Sequence, residues 1–268
     1  MIIWIASYPK SGNTWVRLFL EKYYECLGKK FTTYTFPKIE DLINLKVDFK
    51  NFVELAKNWE NLQNSINLDS KTKFLKTHNA LCTINGHKFT SKNNSLGAIY
   101  IVRDPRDVLV SYSNHLGQSE EKVLRGMLDP QNGELGEHEG FEWKKSIMGK
   151  WSDHYNSWKN FGKDNFIIIK YEKLKQNPEE EFFKIINLLN HLCEIKVDKF
   201  AILTAIKETS FEKLKKKEEV SGFQEATENG PFFRKGIVGD WKNSLNKETV
   251  DQIEKKFEKE MKELGYLS

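Results

Sequence analysis

The stretch Ile2–Trp15, IIWIASYPKSGNTW, decides the fold. Ile2–Ala6 is an unbroken apolar run, rich in branched side chains and without polar alternation. A strand buried on both faces of a parallel sheet reads this way. A tight polar turn follows, and from Trp15 apolar positions recur at helical spacing: Trp15, Leu18, Phe19, Tyr23 and Cys26. Strand, turn and helix start together make an anion site, because successive backbone N–H groups converge there and the helix dipole adds positive potential. Gly12 permits close backbone approach, Ser11 and Thr14 offer hydroxyls, and Lys10 adds a formal charge.

Outward from that stretch, further short apolar runs lie at Phe74–Leu75, Ala98–Val102 and Phe166–Ile169. Helical stripes accompany them. Phe182, Ile185, Ile186, Leu189 and Leu192 follow Pro178 and Glu179–Glu181, a proline and acidic start suited to a helix N-terminus. Val250, Ile253, Phe257, Met261 and Leu264 form a second stripe, stopped by Gly265. Strands alternating with helices predict an α/β fold with a central, mainly parallel sheet flanked by helices. Ligands of such sheets bind beyond the carboxyl ends of the strands. No repeat or linker divides the chain, so residues 1–268 read as a single domain. Two segments stand outside the alternation and read as loops or lids over a cleft. One is Gly117–Gly140, with Asp129, Glu134, Glu137 and Glu139 on it and Glu142 beside it; the other is polar Lys213–Phe232, with Gly222 and Gly230.

Composition excludes several classes. Hydrophobic residues make up 39% of the 268 and aromatics 13%, enough for a buried core rather than a disordered chain. A net charge of +4 is too mild for a nucleic-acid binder, yet compatible with a local basic pocket for a polyanionic small molecule. Cys26, Cys82 and Cys193 are scattered and lack CxxC spacing, so they read as buried, reduced thiols rather than a disulfide framework or zinc site. Neither a signal peptide nor a membrane-length apolar stretch is present, which predicts a soluble, cytoplasmic protein.

Three more pieces sit where the first loop predicts a site. Arg103-Asp-Pro-Arg-Asp107 follows the run Ala98–Val102, with Pro105 suited to the first turn of a helix and Ser111 two turns along it. Arginine at a strand end offers a rigid fork for phosphate, although Arg–Asp pairs also cap helices. Lys76-Thr-His78 follows Phe74–Leu75; an imidazole there can accept a proton near neutral pH. Phe233-Arg-Lys-Gly-Ile-Val-Gly-Asp-Trp241 carries two cations and two glycines, another anion clamp or a solvated turn. The first loop differs from a Walker P-loop, whose lysine directly follows the second glycine; here Asn13 stands there and Lys10 comes two residues before Gly12.

These pieces, in this order, resemble the cytosolic PAPS-dependent sulfotransferase family. The motifs are Tyr8-Pro-Lys-Ser-Gly-Asn-Thr-Trp15, Leu75-Lys-Thr-His78, Val102-Arg-Asp-Pro-Arg-Asp-Val108 through Ser111-Tyr112, and Arg234-Lys-Gly-Ile-Val-Gly-Asp-Trp241. Weaker matches are Trp151-Ser-Asp-His154, Tyr171-Glu-Lys-Leu174 and Thr209-Ser-Phe211, so the likeness spans nearly the whole chain. It implies a P-loop-like three-layer fold and in-line transfer of a sulfuryl group from 3′-phosphoadenosine 5′-phosphosulfate (PAPS) to a hydroxyl or amine of a small-molecule acceptor, without a metal. Carried over by position, Lys10, Ser11, Gly12, Asn13, Thr14 and Trp15 form the 5′-phosphosulfate loop, with Lys10 on the bridging oxygen. Arg103, Ser111, Arg234, Lys235 and Gly236 hold the 3′-phosphate, and Trp15 and Phe211 sandwich the adenine, with Tyr171 and Thr209 nearby. His78 is the base, and Lys76 stabilises the group in transfer.

The chain departs from the family pattern at three places. Asn79-Ala80 stands where animal members carry Leu-Pro, Lys242–Asn246 lacks the usual Phe-Thr pair, and Thr249-Val250 with Glu254 matches only part of the homodimer motif. The rival reading is a small-molecule P-loop kinase, which calls for a lysine after Gly12 and an acidic magnesium ligand at a strand end. A binding protein without catalysis would have lost His78 or Lys10, and both are present. The acidic segment Gly117–Glu142 reads as a solvated loop or as a surface for a cationic or amine-bearing acceptor, and Tyr34, Phe36 and Trp143 suit either an apolar pocket or core packing.

Overall fold

Residues 1–37, 51–69, 71–138 and 141–268 are described by a computed structural model, with backbone alone within 134–138 and 141–145. The opening run is β1 (Ile2–Ser7), followed by α1 (Asn13–Cys26), β2 (Thr33–Thr35), α2 (Phe52–Asn67) and β3 (Lys73–Thr77). A small pair, β4 (Thr83–Ile84) and β5 (His87–Lys88), precedes β6 (Ser95–Val102), α3 (Pro105–Leu116) and α4 (Glu120–Met127). A hairpin of β7 (Gly133–His138) and β8 (Phe141–Ile147) leads to α5 (Trp151–Trp158), β9 (Phe166–Lys170) and α6 (Tyr171–Gln176). The chain closes with α7 (Pro178–Cys193), α8 (Lys199–Glu208), α9 (Phe211–Ser221), α10 (Trp241–Ser244) and α11 (Lys247–Glu263).

Five strands form one parallel sheet in the order β2-β3-β1-β6-β9. Its apolar runs do not alternate because both faces are covered. On one face Trp4, Ala6, Ala98 and Tyr100 pack with Trp59 of α2, Trp151 and Trp158 of α5 and Phe257 of α11. On the other, Ile3, Ile5, Ile99 and Ile101 pack with Phe19 of α1, Phe182 of α7 and Ala201 of α8. The strand ends are level: Ala6 pairs with Thr77, Ser7 with Ile101 and Val102 with Lys170. The chain leaves central β1 with β3 on one side and β6 on the other, a switch point where a crevice opens beyond the strand ends.

The structure corrects several expectations. Glu120–Met127 is helix rather than loop: Ser119 accepts from Lys122 N as an N-cap, and α4 buries Val123, Leu124 and Met127. Beyond it β7 pairs antiparallel with β8; the side chains of Glu134, Glu137, Glu142 and Trp143, and all of Glu139 and Gly140, lie outside the described residues. The charge run from Lys213 is likewise helical. Ser210 caps α9, whose Lys- and Glu-rich sequence has good helix propensity, and Leu214 and Glu218 are its buried positions. Phe36 packs edge-on against Trp4 in the core and Tyr34 is exposed, so neither lines the crevice. All three cysteines are free, and Cys26 is exposed rather than buried. Glu254 of the partial dimer motif is bonded to Arg106 within the chain. Among the described residues no helix is long and apolar enough to cross a membrane.

Candidate active site

β1 ends at Ser7, and the chain must turn into α1 within a few residues. It does so with Lys10 at φ 63° and Gly12 at φ 107°, both left-handed. Gly12 is required on two grounds: its backbone conformation, and a Cβ there would stand 2.7 Å from the Tyr171 ring. The Asn13 amide donates to Ile5 O (2.9 Å) and Ser7 Oγ (3.3 Å), stitching the loop to its own strand. Ser11 is fully buried, and its hydroxyl, without a hydrogen-bond partner among the described residues, does not line the crevice. The loop residues that line the crevice are Pro9, Lys10, Gly12, Asn13, Thr14 and Trp15.

The crevice holds a cavity of about 810 Å³, which gathers these groups with Lys76, His78, Arg103, Ser111, Tyr171, Phe211 and Arg234–Gly236. Arg103, at the end of β6, is 8% exposed; its Nη1 donates to Lys10 O and its Nη2 to Ile237 O, both at 3.2 Å. Its Nε is buried with no hydrogen-bond partner among the described residues. The guanidinium also lies 4.5 Å from the Tyr171 ring centre. One helical turn on, Asp107 accepts from Gly239 N (2.7 Å) and Trp241 N (3.0 Å), tying the loop after α9 to α3. Arg234 and Lys235 line the cavity while each bonds Asp240 at 2.9 Å. The second arginine of the motif is structural: Asp104 caps α3 and chelates Arg106.

At the end of β3, His78 Nδ1 lies 2.7 Å from Ser7 O. A carbonyl can only accept, so Nδ1 donates and the neutral ring keeps its lone pair on Nε2. Behind it, buried His154 donates from Nε2 to His78 O (3.1 Å) and accepts at Nδ1 from Tyr100 OH (2.9 Å). Burial lowers its pKa to about 3, so it stays neutral. Lys10 is lowered to about 8, mainly by burial and further by Arg103 and Lys76, with Glu225 opposing. Its Nζ sits 3.8 Å from the centre of the Phe232 ring.

The aromatic walls rest on glycines. Tyr171 covers Gly12, and Phe211 covers Gly236, where a Cβ would stand 2.4 Å from the ring. Trp15 meets Tyr171 and Phe182 edge-on. Between Trp15 and Phe211 stands Lys175, its Nζ 5.8 Å from one ring centre and 5.3 Å from the other. Thr209 is not in the cavity wall: it is buried, and its hydroxyl turns back to Ala205 O at 2.7 Å.

Two cavity residues, Lys175 and Glu225, escape the motif reading, as does Arg17, which bonds Thr14 and Glu225 of the wall without lining the cavity itself. Lys175 lies four residues after Tyr171 and Arg17 four after Asn13, so helical spacing could have found both. Glu225 had no local signal; it reaches Thr14 across 211 residues of sequence. Cations outnumber carboxylates around the cavity, with Asp107, Glu225 and Asp240 the acidic members. Among the described residues no group of three or more His, Cys, Asp or Glu could hold a metal.

A family model described as "Sulfotransferase domain" matches residues 2–265. Human sulfotransferase 1E1 is 30% identical, the match covering 97% of this chain and 83% of the relative. Mouse sulfotransferase 1B1 is 29% identical, with 96% and 81% covered. Flavonol 3-sulfotransferase of Flaveria bidentis is 27% identical, with 98% and 82% covered. Among solved structures, mouse sulfotransferase SULT7A1 complexed with PAP superposes with a TM-score of 0.65 at 22% identity, covering 97% of this chain and 84% of that one. Retinol dehydratase, in complex with androsterone and the inactive cofactor PAP, gives 0.62 at 19%, with 97% and 80% covered. At such identities the superpositions speak to the fold, which they share.

Proposed function

The chain belongs to the sulfotransferase domain family, and from that premise we propose that it moves a sulfuryl group from PAPS to a hydroxyl or amine of a small molecule. The observation that carries the donor assignment is Arg103: a buried guanidinium with one unpartnered donor, set at a strand end in a cation-rich cavity. That orphan Nε, with Ser111, Arg234, Lys235 and the Gly236 backbone close around the same cavity, fits a phosphate on the 3′ side of a nucleotide. Trp15 and Phe211 would flank the base, and Lys175 would move from between them. Neither Ser11 nor Thr209 lines the cavity, and the Thr209 hydroxyl is taken up within its own helix end.

The donor supplies an activated S–O bond to a phosphate leaving group. His78 Nε2 takes the proton of the acceptor as its oxygen or nitrogen attacks sulfur, and Ser7 O holds the ring in the tautomer that allows this. Lys10 meets the bridging oxygen as the S–O bond breaks and negative charge collects on the phosphate. Lys76 balances charge on the sulfuryl oxygens. Positioning by the loop, with little covalent work by the protein, accounts for the remainder, as in phosphoryl transfer. PAPS stands as co-substrate, and no residue of this mechanism requires a metal.

Calorimetric titration with the desulfated product, 3′-phosphoadenosine 5′-phosphate, tests the assignment without magnesium. Micromolar or tighter binding is expected, weakened about 10- to 100-fold by Arg103→Ala, the scale of a charged hydrogen-bond site. Failure to bind this nucleotide, with binding of magnesium–ATP instead, would return the chain to the kinase reading.

A further inference from the structure

The loop after α9 places a carboxylate on the donor loop itself. Glu225 Oε2 accepts from Thr14 Oγ1 at 2.8 Å, and Oε1 accepts from Arg17 Nη2. Lys76 Nζ lies 3.6 Å from Oε2. Arg17 also donates to Thr14 Oγ1 (3.2 Å) and to Asn13 Oδ1 (3.0 Å), so the threonine hydroxyl accepts on one side and its proton points at the carboxylate. Burial pushes the Glu225 carboxyl up, but the charges of Lys76 and Arg17 and the bonds from Arg17 and Thr14 outweigh it and hold it down at about 2. Seven residues on, Phe232 covers Lys10. The groups assigned above to the transferring end of the donor, Lys10, Thr14 and Lys76, are thus all engaged by residues 225–232.

That segment is held at its ends. Thr227 Oγ1 and Asn229 Nδ2 donate to His115 O (2.9 and 3.3 Å), and the Phe232 and Phe233 amides donate to Glu218. Gly222 and Gly230 bracket Glu225 at φ 69° and 138°, and a Cβ at either would meet nothing, so these glycines serve backbone geometry alone.

Resting on the donor reading above, we propose that Arg17, with Thr14, is a further binding group for the anionic 5′ end of the donor, and that Glu225 is the chain's own anion, exchanged for it on binding. A carboxylate and a phosphate or sulfate oxygen pair ask for the same donors, and both cannot occupy them. Arg17 then passes from Glu225 to the ligand, a guanidinium fork suited to either oxyanion. The ligand-free site keeps its cations paired, and nucleotide binding carries the cost of displacing that pair.

The test compares two nucleotides that differ only at this end: 3′-phosphoadenosine 5′-phosphate and adenosine 3′-phosphate, titrated calorimetrically into wild type, Glu225→Gln and Arg17→Gln. Glu225→Gln should bind the bisphosphate about tenfold tighter and adenosine 3′-phosphate within twofold of wild type. Arg17→Gln should weaken only the bisphosphate, also about tenfold. Should Glu225→Gln fail to fold by thermal melting, Glu225→Asp, one methylene shorter, should give a gain of about threefold. Unchanged or weaker bisphosphate binding in the Glu225 variants overturns the exchange, as does an equal shift for both ligands, which would mark a general field effect. Wild type that binds neither nucleotide overturns the donor reading beneath it, a separate outcome.

Discussion

The two ends of the cavity hold their cations differently. At one end Arg103 is anchored by backbone carbonyls of residues 10 and 237 on its two terminal nitrogens, with Asp107 3.7 Å away and the Tyr171 ring beside it, while Arg234 and Lys235 bond Asp240. At the other end Lys10, Lys76 and Arg17 are engaged by side chains from residues 225–232, and the Lys10 pKa has fallen to about 8. A guanidinium held by carbonyls keeps its charge and its aim whatever else is bound. An ammonium held by a ring and a carboxylate depends on what replaces them. The first end is arranged to recognise, the second to respond.

His78→Ala gives the largest expected separation of the two. Turnover should fall about 10²- to 10⁴-fold, the range for loss of a general base, while calorimetric affinity for 3′-phosphoadenosine 5′-phosphate stays within about twofold. Loss of affinity on the same scale would erase the distinction. Gly12→Ala attacks the hinge between the ends, since the new methyl meets Tyr171 and the backbone is left-handed. Destabilisation of about 1–3 kcal/mol is expected in chemical denaturation. An unperturbed midpoint would mean that the loop yields more readily than its packing implies.

Lys10 sharpens the contrast through pH. In the ligand-free chain its amine loses the proton as pH rises through about 8, and an anion beside it raises that pKa again. Nucleotide affinity should therefore be full below pH 8 and decline above it, by at most about tenfold per unit. Lys10→Met should remove that decline, and a flat wild-type profile to pH 9.5 would refute it. Thr209→Val should do least: affinity within about twofold, with about 1 kcal/mol of stability lost with the Ala205 bond. A large loss of affinity would return Thr209 to the cavity wall.

Legibility followed range. Ile2–Ala6 and Ala98–Val102 announced buried strands because no polar residue interrupts them, and both faces of the sheet are covered. β2 carried no such run; among the described residues it pairs with β3 alone, at the sheet edge, and Tyr34 on it is exposed. α4 was obscured by Gly117 and the charges around its short apolar face of Val123, Leu124 and Met127. In the site, motif reading reached His78 and Arg103 because each directly follows a strand, and Lys10 because it stands in the turn that follows β1. It could not say that Ser11 turns inward or that Thr209 bonds its own helix, since those outcomes depend on side-chain direction rather than position.

By itself the sequence determined the alternation of buried strands and helices, the anion loop after β1 and the residues that leave each strand end. These are local properties, fixed by hydrophobic period and by backbone chemistry within a few residues. Tertiary structure alone decided which cations are paired and with what. Glu225 meets Thr14 and Arg17, and Phe232 meets Lys10, because a late segment folds back over an early loop. Contacts across some 200 residues are set by the packing of the whole chain, and no local pattern encodes them.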